Sequence, residues 1–410
     1  MWRSLEAMRG LARAGAALGV AAALALPAVA QATPFNGRIA FASDRVAPVA
    51  GSAGKFDIFS MNADGSDQRQ LTTSPAGDRQ PDWSPDGTDL AYTIDKPNSP
   101  INFEVARMAA DGSGRRQLTT TPAGEASSQP SWRPDGRAIL YRRSGPAGVG
   151  SIWQMGLLGE APGLRFSPPN VPLYPSWSPD MARVLFTAIL SPAGDTDRAI
   201  FTMNADGSGL VKLYDVAGAY DSAPAWSPDG RTIAFESNGD PGGANPEHDM
   251  EVWTMGADGS APVQLTRNAL HDEGPAWSPD GRLLAYTSGS DNHHGDIHVM
   301  TRGGRELRTL TSYAGPDESP DWQAIPAPRT ARACGDLVTN GRGGRDVRAI
   351  GRGLRCPAAR ALARRWARAG RRAARVRGYR VQVRDFGGVR RVVLRRGAGA
   401  GRRLVAFLDR

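Results

Sequence analysis

The chain has 410 residues, a formal net charge of +9 and only two cysteines. That cysteine count excludes a disulfide-dense scaffold and leaves room for one bridge. The charge is unevenly spread: residues 329–410 hold 24 Arg, no Lys, four Asp and no Glu, a surplus of +20, so the other 328 residues carry −11. A uniformly basic chain is excluded, and a mildly acidic body with a strongly basic tail is expected.

The first 32 residues read as a secretory signal peptide. Arg3, Arg9 and Arg13 precede the apolar run 14–26, and small residues follow at Ala28-Val29-Ala30 and Ala30-Gln31-Ala32, so cleavage is expected after Ala30 or Ala32. With no cysteine and no adjacent arginine pair there, neither a lipoprotein nor a twin-arginine route is expected. The protein should reach the periplasm, the cell envelope or the exterior; an uncleaved anchor, short for a bilayer, is the alternative.

Six near-copies of Pro-x-Trp followed by Ser-Pro-Asp-Gly come next, with tryptophans at Trp83, Trp132, Trp177, Trp226, Trp277 and Trp322. A period of about 40 to 50 residues is that of a propeller blade, a unit that buries its apolar face only by stacking on its neighbours. Around Trp226 the local chemistry predicts four strands: 224–227, then Thr232 to Glu236 after the Pro228-Asp229-Gly230 turn, then Glu251 to Met255, and, after Asp258-Gly259, Val263 to Thr266. The first copy is incomplete, because Arg38 to Ser43 matches a second strand with no first strand before it. The last is its complement, Trp322 lying in a first strand with no turn after it. The two halves should pair and close the ring without an exposed edge. The fold class expected for 33–327 is therefore an all-β, six-bladed β-propeller closed by its N- and C-terminal strands.

The blade repeat reads Trp-Ser-Pro-Asp-Gly, Ile-Ala-Phe, Asp-Ile-Phe-x-Met-Asn-Ala-Asp-Gly-Ser (Asp57 to Ser66) and Gln-Leu-Thr (Gln70 to Thr72). It resembles the repeat of the TolB propeller and its relatives, over roughly Gly37 to Pro326. TolB carries an α/β domain ahead of its propeller, serving the Tol–Pal envelope system; here the propeller is expected directly after the leader, without that domain.

Residues 328–410 are expected to form a small basic α+β domain. Cys334 and Cys356 would form its disulfide, closing a loop of about twenty residues and contributing roughly 3 kcal/mol. Pro357 opens a helix through Ala358 to Val376, and Val347 to Ile350, Tyr379 to Val383, Val389 to Leu394 and Arg403 to Leu408 read as strands. Arg364, Arg365, Arg368, Arg371 and Arg372 lie along that helix and form the candidate basic surface. It would attract an anionic cell-wall polymer or a membrane surface; a solvated face in an arginine-rich chain is the alternative. Nucleic acid is not expected as a partner, given the leader.

Most repeated residues have structural roles. A buried Trp removes on the order of 150 to 250 Å² from water, worth about 4 to 6 kcal/mol, and the Asp of each Ser-Pro-Asp-Gly is turn chemistry. A carboxylate opens the third strand at Asp57, Glu104, Glu251 and Asp296, and capping a neighbouring loop is its expected work, with lining the mouth of the ring as the alternative; Ser151 and Ala199 replace it in the third and fourth units.

Function on a repeat scaffold sits where the repeats differ. All five histidines fall between His248 and His298, and four are expected in loops of one face: His248, His271, His293 and His294. Asp249, Asp272, Glu273, Asp291 and Asp296 accompany them as a candidate ligand face. No cofactor is implied, but these imidazoles and carboxylates could hold a divalent metal if they converge. His298 stands where Phe59, Phe201 and Trp253 stand in other units and should pack within its blade. No Gly-x-Ser-x-Gly elbow and no phosphate-binding glycine loop is present. Two readings follow. One is an exported, monomeric, non-catalytic scaffold binding a protein, peptide or glycan by its loop face, with the basic tail on anionic envelope material. The other is a metal-assisted hydrolase or lyase using the histidine loops.

Overall fold

The computed structural model describes residues 34–326, apart from segments at 46–54, 75, 97–101, 146–148, 161, 168–170, 191–196, 244 and 291–294, together with the backbone of six strands between 332 and 409. The leader, the arginine-bearing stretch 364–372 and Cys356 lie outside the described residues, as does any partner of Cys334.

Six four-stranded antiparallel sheets follow one another around the ring. From the innermost strand outward, blade 2 is Asp78–Trp83, Asp89–Asp95, Phe103–Ala109 and Arg116–Gln117; blade 3 is Ala126–Trp132, Ile139–Ser144, Gly150–Met155 and Gly163–Phe166. Blade 4 is Val171–Trp177, Arg183–Ile189, Arg198–Asn204 and Val211–Tyr214; blade 5 is Ser222–Trp226, Thr232–Ser237, Glu251–Gly256 and Val263–Gln264. Blade 6 is His271–Trp277, Leu283–Gly289, Gly295–Thr301 and Glu306–Thr309. Blade 1 joins the two ends: its innermost strand is Asp317–Ile325, and Phe35–Ser43, Asp57–Asn62 and Arg69–Gln70 follow. Ile39 sits opposite Trp322 and Ala40 opposite Asp321, which is the closure that the unmatched first and last copies require.

The core is divided among the seams. Among the described residues six hydrophobic clusters form, one between each pair of adjacent blades, and the motif tryptophan of the following blade packs into each. Five of these indoles are buried, and Trp226 is half-buried. Within blades the second and third strands carry cross-strand aromatic pairs, Phe41 on Phe59 at 5.8 Å, Phe186 on Phe201 at 5.9 Å and Phe235 on Trp253 at 6.4 Å. His298 takes the same place against Tyr286 at 5.6 Å, with Nδ1 on Glu306 at 3.1 Å.

The tail strands form one six-stranded antiparallel sheet in the order Arg332–Val338, Asp346–Arg352, Arg403–Asp409, Val389–Arg396, Tyr379–Phe386, Arg375–Val376. Two details depart from the sequence reading: Arg375-Val376, expected as the end of a helix, is strand, and Arg332–Val338 is a strand that was not expected.

The glycines of five third-to-fourth-strand turns, Gly65, Gly112, Gly159, Gly259 and Gly304, also lie against the preceding blade. Gly259 has φ +85°, and a Cβ there would lie 2.5 Å from the carbonyl oxygen of Leu213; Gly112, at φ +85°, would meet that of Leu71 at 2.7 Å. Only glycine satisfies both the left-handed backbone and this approach. Gly124 has φ +84° but nothing within 4 Å of its Cβ position. Gly259→Ala should therefore destabilise by about 2 kcal/mol or more and Gly124→Ala by only about 1 kcal/mol, measured by urea unfolding. Equal losses would remove the seam contact as the cause.

Candidate functional site

The six innermost strands surround a central channel of about 330 Å³. Each is built on the same irregularity. The register against the second strand slips two residues before the proline of Pro-x-Trp, and the residue just ahead of that proline is left-handed. Its φ is 53° at Gln80, 55° at Gln129, 50° at Tyr174, 44° at Ala223, 59° at Gly274 and 54° at Ser319. Five of the six are not glycine, and an L-residue held there costs about 1–3 kcal/mol. Side chains of the preceding blade fix several of these amides: Gln129 N donates to Thr93 Oγ1 (3.0 Å), Tyr174 N to Gln129 Oε1 (2.9 Å) and Gly274 N to Glu236 Oε2 (2.7 Å).

Two sets of side chains lie in and around the resulting channel. Toward the loop face, Glu236, Glu273 and Glu318 come from blades 5, 6 and 1 and crowd Tyr174 from blade 4, with Arg79 4.0 Å from Glu318. Burial pushes the carboxyl of Glu236 up to about 7, and the charge of Glu273 adds to it; Glu273 and Glu318 are raised for the same first reason, opposed by Arg198 and Arg79 respectively. Deeper, the residue before each motif Trp is Asp82, Ser131, Ser176, Ala225, Ala276 or Asp321. Asp321 accepts the Trp83 amide at 2.6 Å and Asp82 the Trp132 amide at 2.7 Å. Both retain some exposed area, because the channel admits solvent, yet its walls remove them from bulk water. Enclosure holds both carboxyls well above their usual range, Asp321 at about 7, and the charge of Asp321 raises Asp82 further. Of the residues that line the channel, the charged ones are Asp321 of blade 1 and Asp82 of blade 2, while the glutamates of blades 5, 6 and 1 around its mouth are opposed by Arg198 of blade 4 and Arg79 of blade 2.

The histidine face takes a different form from the one expected. His271 opens the innermost strand of blade 6 and is not a loop residue. His248 is exposed at the end of its loop with φ 54°, and Asp291, His293 and His294 fall in the segment outside the described residues. Among the described residues no group of three or more His, Cys, Asp or Glu side chains converges to hold a metal. Asp249 and Asp272, expected on an exposed ligand face, are buried, at 8% and 0% exposure, because they lie where one blade's third strand meets the next blade's first strand. Asp296 is half-buried and caps a loop through Thr311 Oγ1 (3.0 Å) and Tyr313 N (3.1 Å). Glu273 reaches the channel mouth, 4.0 Å from His271 Nδ1.

Apart from Glu273 and Asp272, which the sequence places on the candidate ligand face, the channel carboxylates and a further buried set are what sequence reasoning missed. Extending the motif upstream gives Asp-x-x-Pro-x-Trp at Asp78, Asp221, Asp272 and Asp317, all at most 3% exposed. Burial raises both Asp78 and Asp221 to about 7; Asp221 is bound by Ser237 Oγ at 2.5 Å and Val216 N at 2.7 Å.

Six blades, one of them shared between the chain ends, and a bulged channel define a six-bladed propeller closed by its terminal strands. The profile of the TolB beta propeller domain (PD40) matches residues 24–161 and 167–324, so the chain belongs to that family. The uncharacterized protein Atu1656 of Agrobacterium fabrum is 28% identical over 200 residues, 46% of this chain and 64% of that protein. The Tol-Pal system protein TolB of Anaeromyxobacter dehalogenans is 36% identical over 104 residues, 24% of this chain and 21% of that one. The chain thus spans less than two thirds of these curated relatives. In structure, TolB from Acinetobacter baumannii superposes with a TM-score of 0.57 at 21% identity, over 70% of this chain and 66% of that one.

The raised carboxyls set a pH dependence. Glu236, Asp321, Asp78 and Asp221 bind protons more tightly folded than unfolded, so their contribution to stability is present near pH 4 and lost as pH rises through about 7. The melting temperature should fall between pH 5.5 and pH 8, and Asp321→Asn should flatten that slope in scanning fluorimetry. A melting temperature that rises over this interval would contradict the assignment.

Proposed function

We propose that this protein is an exported, non-catalytic binding scaffold of the cell envelope. It engages a protein partner at the loop-face mouth of the channel while the basic tail holds it against anionic envelope polymer. The observation that carries this reading is the mouth itself, where Glu236, Glu273 and Glu318 meet Tyr174 over five strained bulges. Strain and like-charge crowding cost stability at a place where a simpler strand would serve, and such costs cluster at ligand-binding sites. Kinship with a TolB propeller supports a protein as the partner and the envelope as the setting. The leader read over residues 1–32 supports export, and the +20 surplus of residues 329–410 supports the tail's role. A peptide segment suits a channel walled by proline and tryptophan, with Gln80 and Gln129 to hydrogen-bond its backbone.

Two measurements test the halves separately. A photo-crosslinking residue at Tyr174 should form an adduct with one envelope protein in cells, lost when Glu236, Glu273 and Glu318 are all replaced by Gln. Purified protein should also bind isolated cell-wall sheets at about 50 mM salt and elute by about 500 mM, and Arg→Gln changes at Arg364, Arg365, Arg368, Arg371 and Arg372 should abolish retention. Retention unchanged in that variant would refute the role given to the tail.

A further inference from the structure

The seam between one blade's third strand and the next blade's innermost strand repeats an acidic arrangement at the loop face. Asp57 faces Asp78, Glu251 faces Asp272 and Asp296 precedes Asp317, while Glu104 stands alone. In three of these seams the chain supplies its own cation. Lys96 Nζ lies 2.5 Å from Glu104 Oε1, the guanidinium of Arg45 binds Asp317, and the charge of Arg115 acts on Asp78.

The seam between blades 5 and 6 differs. It holds the largest group of carboxylates, Asp249, Glu251 and Asp272, exposed by 8%, 1% and 0%, and each feels the charge of another. Asn268 donates its amide to Glu251 Oε1 and its side chain to Asp272 Oδ2, both at 2.8 Å. Neither carboxylate oxygen of Asp249 has a hydrogen-bond partner on another residue, and no lysine or arginine among the described residues pairs with any of the three. The opposing charge felt by Asp249 comes from the titratable imidazole of His271, a third exposed. A buried carboxylate with both oxygens unpaired is rare in a folded protein, because its desolvation is normally repaid by a donor or a cation. Glu247 and His248, which precede Asp249 in the chain, are both exposed.

We infer that the blade 5–6 seam is a receptor site for a cationic side chain, a lysine ammonium or arginine guanidinium, brought by the protein partner into the place that Lys96 and Arg45 occupy in other seams. This rests on the reading that the loop face binds a protein. A side-chain cation suits the geometry better than a metal ion, since the acids do not converge to metal-holding distances, whereas ammonium and guanidinium donors reach separate acceptors at ordinary hydrogen-bond length. Three spread carboxylates would also read the charge without fixing the rest of the partner's sequence.

The test uses peptides selected from a random displayed library against the full-length protein, with affinities measured by fluorescence anisotropy. Peptides should carry a basic residue whose replacement by norleucine weakens binding at least tenfold. Asp249→Asn should weaken the parent peptide by a similar factor and leave the norleucine peptide unchanged, which is the coupling expected of a direct pair. Thermal unfolding of Asp249→Asn and Glu251→Gln should show both folded and no less stable than the parent at pH 7.5, since each relieves repulsion. Peptides that bind both variants as tightly as the parent would overturn this site while leaving the scaffold reading intact. Calcium or magnesium that stabilises the parent but not Asp249→Asn, with peptide binding unaffected by either change, would overturn it in favour of a metal ion. Failure to select any peptide would count against both the site and the binding role of the loop face.

Discussion

Everything in this propeller depends on the pairing of Phe35–Ser43 with Asp317–Ile325. Each seam cluster needs a blade on both sides, so an open ring would leave the cluster of Ile39, Phe41, Ile297 and Trp322 facing water. The pairing is reinforced from both strands. Gln323 accepts the Arg38 amide at 3.1 Å and donates to Gly87 O of blade 2 at 2.7 Å, while the Arg38 guanidinium is buried against Ser60, Asn62 and Asp67. Burial lowers the tendency of Arg38 to stay charged, and the carboxylate of Asp67 opposes that. The strand that closes the ring is also the one that delivers Glu318 and Asp321 to the channel. Closure and channel chemistry are thus carried by the same nine residues.

The channel owes its shape to a repeated bulge. Slipping the register ahead of each proline turns the innermost strand so that one face packs a tryptophan into the seam while the residue before it looks into the channel. The left-handed residue leaves an amide without a ladder partner, and a side chain of the preceding blade takes it at Gln129, Tyr174 and Gly274. Because those side chains are Thr93, Gln129 and Glu236, the bulges link one blade to the next by polar contacts on the channel side, as the hydrophobic clusters do on the other.

Architecture was legible in the sequence because the devices that build a blade are local. Proline, Asp-Gly turns and alternating apolar runs mark strands and turns one by one, and the unmatched Arg38 and Trp322 segments disclose the closure. The bulges were not legible, since Gln80, Gln129, Tyr174, Ala223 and Ser319 are residues that elsewhere sit in ordinary strand, and only Gly274 carries a local sign of φ > 0. The histidines misled for a related reason. Nearness in sequence placed His248, His271, Asp249 and Asp272 on one exposed face, whereas strand register sends Asp249 and Asp272 into a seam and leaves His248 outside. Strand pairing across blades decides burial here, and no single blade's sequence contains it. The buried Asp five residues ahead of the tryptophan could have been found by reading the repeat further upstream.

The repeats also separate what the fold requires from what it tolerates. At the position before the motif tryptophan the chain uses Asp twice, Ser twice and Ala twice, so the strand forms equally well with a methyl group there. Asp82 and Asp321 therefore do not owe their place to strand geometry, and their mutual repulsion within an enclosed channel opposes folding. The same comparison applies at the mouth, where the residue two ahead of the proline is Glu in blades 6 and 1, Arg in blade 2 and Ser or Leu in blades 3, 4 and 5. Acid is concentrated on one side of a ring whose backbone is nearly sixfold. An asymmetric charge on a symmetric frame would give a segment bound there a preferred orientation, with its positive end toward blades 5, 6 and 1. A ring of identical blades could bind such a segment but could not orient it.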